Sequence, residues 1–169
     1  MKENNTKEFF HTNLEVFYNI AIESFYAMNA DINANRKPKP NNEHGWILTY
    51  NPDQKSFKNA FITIVFCGVF LEALLHLLIV ERKGIEIYIQ LDKKRATYEL
   101  QLESLGCNDP SIIKCCKNFR DARNEVIHEK AHMNTKDIRR AQDEATKAFE
   151  FIRMIIKYFA LKGFDICLT

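Results

Sequence analysis

At 169 residues the chain is long enough to bury one good core as a single domain, without disulfide or metal staples. A 46% hydrophobic content excludes a disordered chain. A formal net charge of only +2 excludes nucleic-acid binding through overall charge, so any such site must be a local basic surface.

Five cysteines (Cys67, Cys107, Cys115, Cys116, Cys167) form no C-x-x-C pair, and the count is odd. That usage predicts buried thiols in a reducing compartment, with the cytoplasm as the expected location. Cys115 and Cys116 are adjacent, so they leave a helix in different directions and make poor joint metal ligands. The first residues, Met-Lys-Glu-Asn-Asn-Thr-Lys-Glu, carry no apolar leader core. Phe61 to Val80 reaches membrane length, but it contains Glu72 and His76, which are costly at bilayer depth. The segment therefore reads as the central helix of a soluble bundle, with no membrane partner expected.

Taken in order, Phe10, Leu14, Phe17, Ala21, Phe25 and Met28 recur at steps of three and four. They mark one face of a helix over about residues 8 to 29. Residues 30–55 then form a long loop, inside which Trp46 to Tyr50 can make a short strand. Ser56 is the predicted cap of a second helix that runs to about Arg82 and stops at Lys83-Gly84. It is apolar nearly all round, so the other helices should pack on it.

Ile85, Ile87, Ile89 and Leu91 alternate with Glu86, Tyr88 and Gln90, which predicts a strand paired with Trp46–Tyr50. Leu91, Tyr98, Leu102 and Leu105 mark a helix that ends at Gly106. Asp109-Pro110 is a strong start signal for the next one, an N-cap followed by proline at the first helical position. Thr135 is the predicted cap of a last helix with Ile138, Ala141, Ala145, Phe149, Ile152, Ile156 and Phe159 on its core face and Gly163 at its end. There is no internal repeat and no phosphate-binding glycine loop. The expected fold is all-α, an up-and-down bundle of about five helices with a small two-stranded ribbon. It forms one domain over 1–169, with its core at 56–162 and the long loop at 30–55.

The chemistry gathers on the helix that Asp109-Pro110 opens. With Ile112 at zero and about 100° per residue, Cys116, Phe119, Ala122 and Val126 make the core stripe, and Arg123 falls inside it. A guanidinium cannot lie in hydrocarbon unpaired, and the carboxylate on an equally buried element is Glu72. Asn124 and His128 are four apart, with Arg120 one turn earlier, so arginine, amide and imidazole converge along one edge. That set suits phosphodiester chemistry: arginine holds a phosphate and its developing charge, and histidine moves a proton near neutrality. Lys114, Lys117, Arg120 and Lys130 can attract RNA, or can simply form a solvated face. His76, four residues after Glu72, can face this helix as a supporting group or be a satisfied core histidine.

Arg123-Asn124-Glu125-Val126-Ile127-His128 resembles the Arg-x4–6-His signature of the HEPN superfamily of small helical bundles. The resemblance extends to Phe70-Leu71-Glu72-Ala73-Leu74-Leu75 and to Leu105-Gly106 before the signature helix, over about residues 56 to 160. It implies a metal-independent endoribonuclease that needs no cofactor and leaves a 2′,3′-cyclic phosphate by attack of the substrate's own 2′-hydroxyl. Arg123, His128 and Asn124 would be catalytic, Glu72 and His76 supporting, and Arg120, Lys117 and Lys130 RNA-binding. It also implies a homodimer with a composite site, a toxin or phage-defence role, and a nucleotidyltransferase-type antitoxin as a partner. Other members of the family have lost activity and only bind a protein or nucleotide partner.

A rival pattern shares one histidine. His128-Glu129-Lys130-Ala131-His132 matches H-E-x-x-H, in which two histidines hold zinc and the glutamate activates its water. Lys130 sits beside the would-be metal, no downstream third-ligand motif follows, although Glu144 and Glu150 exist, and little sheet is available to hold a peptide. Zinc hydrolysis is therefore the third reading, behind an active and an inactive relative.

Overall fold

A computed structural model describes residues 3–40, 43–49, 51–127, 140–164 and 166, with the side chains of 3–12 and 127 outside the description. The described chain is an all-α bundle of six helices with one small ribbon: α1 Glu3–Ala34, β1 Arg36–Pro38, β2 Trp46–Leu48, α2 Lys55–Lys83, α3 Ile85–Lys93, α4 Tyr98–Ser104, α5 Pro110–Ile127 and α6 Ala141–Leu161.

Helix α2 is the axis of the bundle. It packs against α1, α3, α4, α5 and α6, which fits a segment apolar on nearly every side. It alone among the described helices is long and apolar enough to cross a membrane, and 61% of its most apolar window is buried inside the protein. Its neighbours cover it as they cover the core helix of a bundle. Leu14, Ala21 and Met28 of α1 are buried, and Phe17 and Phe25 pack beside them, so the apolar spacing did mark the face turned inward. From α6, Ala141, Ala145, Phe149, Ile152 and Phe159 reach the same core, with Ile156 partly buried against it.

The helix ends follow local chemistry. Helix α2 begins after Gln54, which takes a left-handed conformation, rather than after Ser56. Ser56 lies inside the first turn, where its backbone N–H donates to Asp31 Oδ2 of α1 at 3.0 Å. The capping carboxylate thus comes from another helix, which local sequence cannot reveal. Gly84, at φ 86°, ends α2 and leads directly into α3. Asp109 caps α5 as expected: its Oδ1 accepts from the Ser111 N–H at 2.8 Å, with Pro110 at the first helical position. Thr135 and Ile138 lie outside the described residues, as does Tyr50.

The expected strand at Ile85–Leu91 is instead α3. Ile87, Tyr88 and Leu91 pack against the core, whereas Ile85 and Ile89 are exposed. Spacing of one, three and four is a helical stripe, hidden inside an alternating sequence. The ribbon does exist, but β2 pairs antiparallel with β1 (Arg36 with Leu48, Lys37 with Ile47, Pro38 with Trp46).

Candidate functional site

The site is assembled where α5 crosses α2 and the start of α4. Thr97 caps α4 by accepting from the Leu100 N–H, so Tyr98 and Glu99 are the first two residues of that helix. Each meets an arginine of α5. Arg120 and Arg123 are three apart and so project from one side of α5.

Arg123 Nη1 donates to Glu72 Oε1 at 2.8 Å and also to the Tyr98 hydroxyl, which in turn donates to the same Glu72 oxygen. The arginine expected in the core stripe therefore has the carboxylate partner that burial demands. Its side chain is 21% exposed and that of Glu72 50%, so the triangle of groups sits at a rim open to solvent. Both of the guanidinium's side-chain hydrogen bonds among the described residues use Nη1. Its Nε is buried and has no hydrogen-bond partner among those residues.

Gly68 explains how the arginine can lie so close to α2. A Cβ placed there would overlap the Arg123 side chain, coming within 3.0 Å of its Cζ. Gly68 and Glu72 are one helical turn apart and share a face, the first giving room and the second giving charge. Burial pushes the Tyr98 hydroxyl above its ordinary pKa of 10, and its hydrogen bond to Glu72 pushes it in the same direction. Tyr98 thus stays a neutral donor to the carboxylate.

Arg120 forms an ion pair with Glu99 at 2.9 Å and a second contact with Asp121 at 3.3 Å. Of the cations expected to attract RNA, Arg120 is thus already matched by carboxylates, whereas Lys117 is exposed. Asn124 is exposed next to Arg123. His76 stacks on Tyr88 of α3, with ring centroids 3.9 Å apart, a contact of the kind a satisfied core histidine makes. Burial lowers its pKa from the ordinary 6.5, and Asp92 acts in the opposite direction.

His128, Glu129, Lys130 and His132 lie outside the described residues, so the geometry fixes neither the imidazole of the Arg-x4-His pattern nor the H-E-x-x-H set. Among the described residues no group of three or more His, Cys, Asp or Glu is placed to hold a metal. Of the two carboxylates considered as a third zinc ligand, Glu144 pairs with Lys147 at 2.8 Å and Glu150 is exposed on α6. The described cysteines are free thiols, and burial raises Cys67 and Cys116 to about 12, which leaves both unreactive.

Sequence reasoning missed Tyr98, Glu99 and Gly68. The signal for Gly68 was present: it is the one glycine within the apolar run, one turn before its one carboxylate. Tyr98 and Glu99 carried no comparable signal, because their importance comes from the crossing of two helices. No family model matches the chain, and no curated protein or solved structure matches it.

Proposed function

We propose that this protein is a metal-independent endoribonuclease of the HEPN type, working in the cytoplasm as a homodimer with arginine and histidine from both copies. In this reading Arg123 holds the scissile phosphate and the negative charge that grows on it. His128 takes the proton of the substrate's 2′-hydroxyl, whose oxygen attacks the adjacent phosphorus. The bond from phosphorus to the 5′-oxygen breaks, the leaving oxygen receives a proton, and a 2′,3′-cyclic phosphate and a 5′-hydroxyl remain. Asn124 holds the substrate or orients the imidazole, and Lys117 and Lys130 attract the backbone. Arg120, tied to Glu99, contributes mainly by shaping that edge. A toxin or phage-defence role with a nucleotidyltransferase-type antitoxin belongs to the same reading.

The observation that carries the proposal is the seating of Arg123. A guanidinium is held over Gly68 by Glu72 and Tyr98 at a solvent-open rim. Preorganised charge at a fixed place is what stabilisation of a phosphoryl transition state requires.

A second reading, an inactive relative that binds a protein or nucleotide partner, is favoured by the same cluster. Nη1 already has two partners, so the arginine has a structural reason to exist.

End-labelled tRNA and mRNA in excess EDTA separate the readings, with wild type compared with Arg123→Lys, Arg123→Ala and His128→Ala. The nuclease reading expects cyclic phosphate ends from the wild type and a loss of at least about 100-fold without His128, the lower range for acid–base catalysis. Folded wild-type protein that cleaves nothing sinks it in favour of the binding module. Stoichiometric zinc in the purified protein would revive His128-Glu129-x-x-His132. Sedimentation tests the composite site, and a strict monomer at micromolar concentration counts against it.

A further inference from the structure

We propose that the β1–β2 ribbon is a platform for single-stranded RNA, with an unpaired base stacking on the indole of Trp46. The ribbon extends the RNA reading above and rests on it for the choice of ligand, but its chemistry is its own.

Both strands are exposed at every position. Trp46, the one tryptophan of the chain, is 55% exposed, and Ile47 and Leu48 are exposed after it. So much apolar surface on six paired residues marks a contact surface.

The pairing register and the alternation of strand side chains place Arg36, Pro38, Trp46 and Leu48 on one side of the ribbon, with Lys37 and Ile47 on the other. The Arg36 guanidinium lies 4.7 Å from the centre of the indole. One face of the ring is therefore held by a cation, which fixes its orientation, while the residue as a whole keeps 55% of its surface exposed. Arg36, Lys37 and Lys39 face a single carboxylate between positions 36 and 48, Glu43, which meets Lys39 only at 3.9 Å. This is the local basic surface that a nearly neutral chain requires for nucleic acid.

An aromatic ring with the Arg36 guanidinium against it matches the two parts of a single strand, base and phosphate. A duplex keeps its bases stacked inside and offers none to the indole. An acidic peptide offers charge without a planar group. A membrane requires one apolar side, whereas Trp46 and Leu48 are turned away from Ile47 here.

The test uses the full chain in EDTA and a labelled 2′-O-methyl oligouridylate of about twelve residues, within the usual span for such sites. Lacking a free 2′-hydroxyl, this strand cannot be cleaved by the proposed chemistry, so binding is read separately from catalysis. Binding should quench the Trp46 emission. Trp46→Ala should weaken affinity about 10- to 100-fold, the range that stacking supports, and Trp46→Phe should restore most of it. Arg36→Ala, which removes the cation on the Trp46 side, should lower the slope of log affinity against log salt by about 0.7. Because the ribbon lies outside the core, these variants should melt with the wild type. The proposal is overturned by affinity of Trp46→Ala within twofold of wild type, by unquenched emission at saturation, or by equal affinity for a duplex of the same length. Phosphatidylserine vesicles that quench Trp46 while the oligonucleotide does not would also overturn it. Binding of the uncleavable strand by a protein that never cleaves RNA would sink only the nuclease reading.

Discussion

The two faces of α2 solve the same packing problem with opposite chemistry. Phe70 points to one of them, where Tyr18 of α1 lies 5.5 Å away and Phe149 of α6 stacks on both Tyr18 and Phe25. Gly68 and Glu72 form the other, roughly half a turn round at about 100° per residue. There the neighbour is a guanidinium instead of a ring. The aromatic face gains stability from area removed from water and asks little of orientation. The charged face gains much less, because a partly solvated ion pair is screened and each ion has lost some of its water. What that face gains is a fixed guanidinium. A bundle built only for stability would have placed a leucine at 123.

Breaking the aromatic face should give the largest effect on folding. Phe70→Ala should cost about 3–5 kcal/mol, measured by urea unfolding, because Phe70 is wholly buried and its cavity cannot fully collapse. Whatever folded protein remains should keep Arg123 in place, since the ring is on the far side of the helix. A stability loss below about 1 kcal/mol would mean that this face is not the principal core.

Gly68→Ala sharpens the contrast because even its sign is informative. In an open helix, alanine for glycine gains about 0.5–1 kcal/mol. Here the new methyl group meets the side chain of Arg123, and an overpacking cost of about 1–3 kcal/mol offsets that gain, for an expected net loss of about 1 kcal/mol. On the nuclease reading, RNA cleavage should fall with it as the guanidinium is displaced. Combining Gly68→Ala with Arg123→Ala should remove the clash and return part of the loss, which a double-mutant cycle would register as coupling. Additive effects would show that the two residues do not touch.

Tyr98→Phe removes one hydroxyl and leaves the ring packed near Phe119. The hydroxyl joins Arg123 and Glu72 through two hydrogen bonds to charged groups, and at this solvent-open rim the expected cost is about 1.5 kcal/mol, the lower end for such bonds. If cleavage depends on where Arg123 is held, the turnover rate should drop more than the substrate KM rises. An unchanged rate would make the hydroxyl a packing feature only.

The parts legible in the sequence were those that depend on neighbours along the chain. The inward face of α1, the Asp109-Pro110 start of α5 and the stop at Gly84 are all read within a few residues. Arg123 in a core stripe also forced a search for a carboxylate, and only Glu72 stood on a helix buried enough. The parts that stayed hidden depend on contacts between distant segments. Asp31 serves the first turn of α2 from 25 residues away. The alternation at Ile85–Leu91 looked like a strand because every second residue is apolar. The strand partner it needed was already used, since Trp46–Leu48 pairs with Arg36–Pro38 beside it. Tyr98 and Glu99 reach the arginines only because α4 crosses α5.

The smallest expected effect concerns His76, which sits one turn beyond Glu72 yet belongs to the contact with α3. Burial against Tyr88 holds its pKa below 6.5, so the folded protein resists the proton that the unfolded chain accepts. Well above pH 6.5 both states are neutral there and the residue adds no pH dependence. As pH falls from 6.5 through the lowered folded value, the unfolded chain binds more protons and stability is lost. Asp92 limits the loss, because its charge favours the imidazolium in the folded state. Thermal melts at pH 7.5 and 5.5 should therefore differ less in His76→Gln than in the wild type, with the two proteins converging on the acid side. The effect is confined to stability, because the ring is stacked on α3 and not on Arg123. If His76→Gln instead moved the pH profile of RNA cleavage and left the melts alone, the imidazole would have to be returned to the arginine site, where the spacing from Glu72 first suggested it.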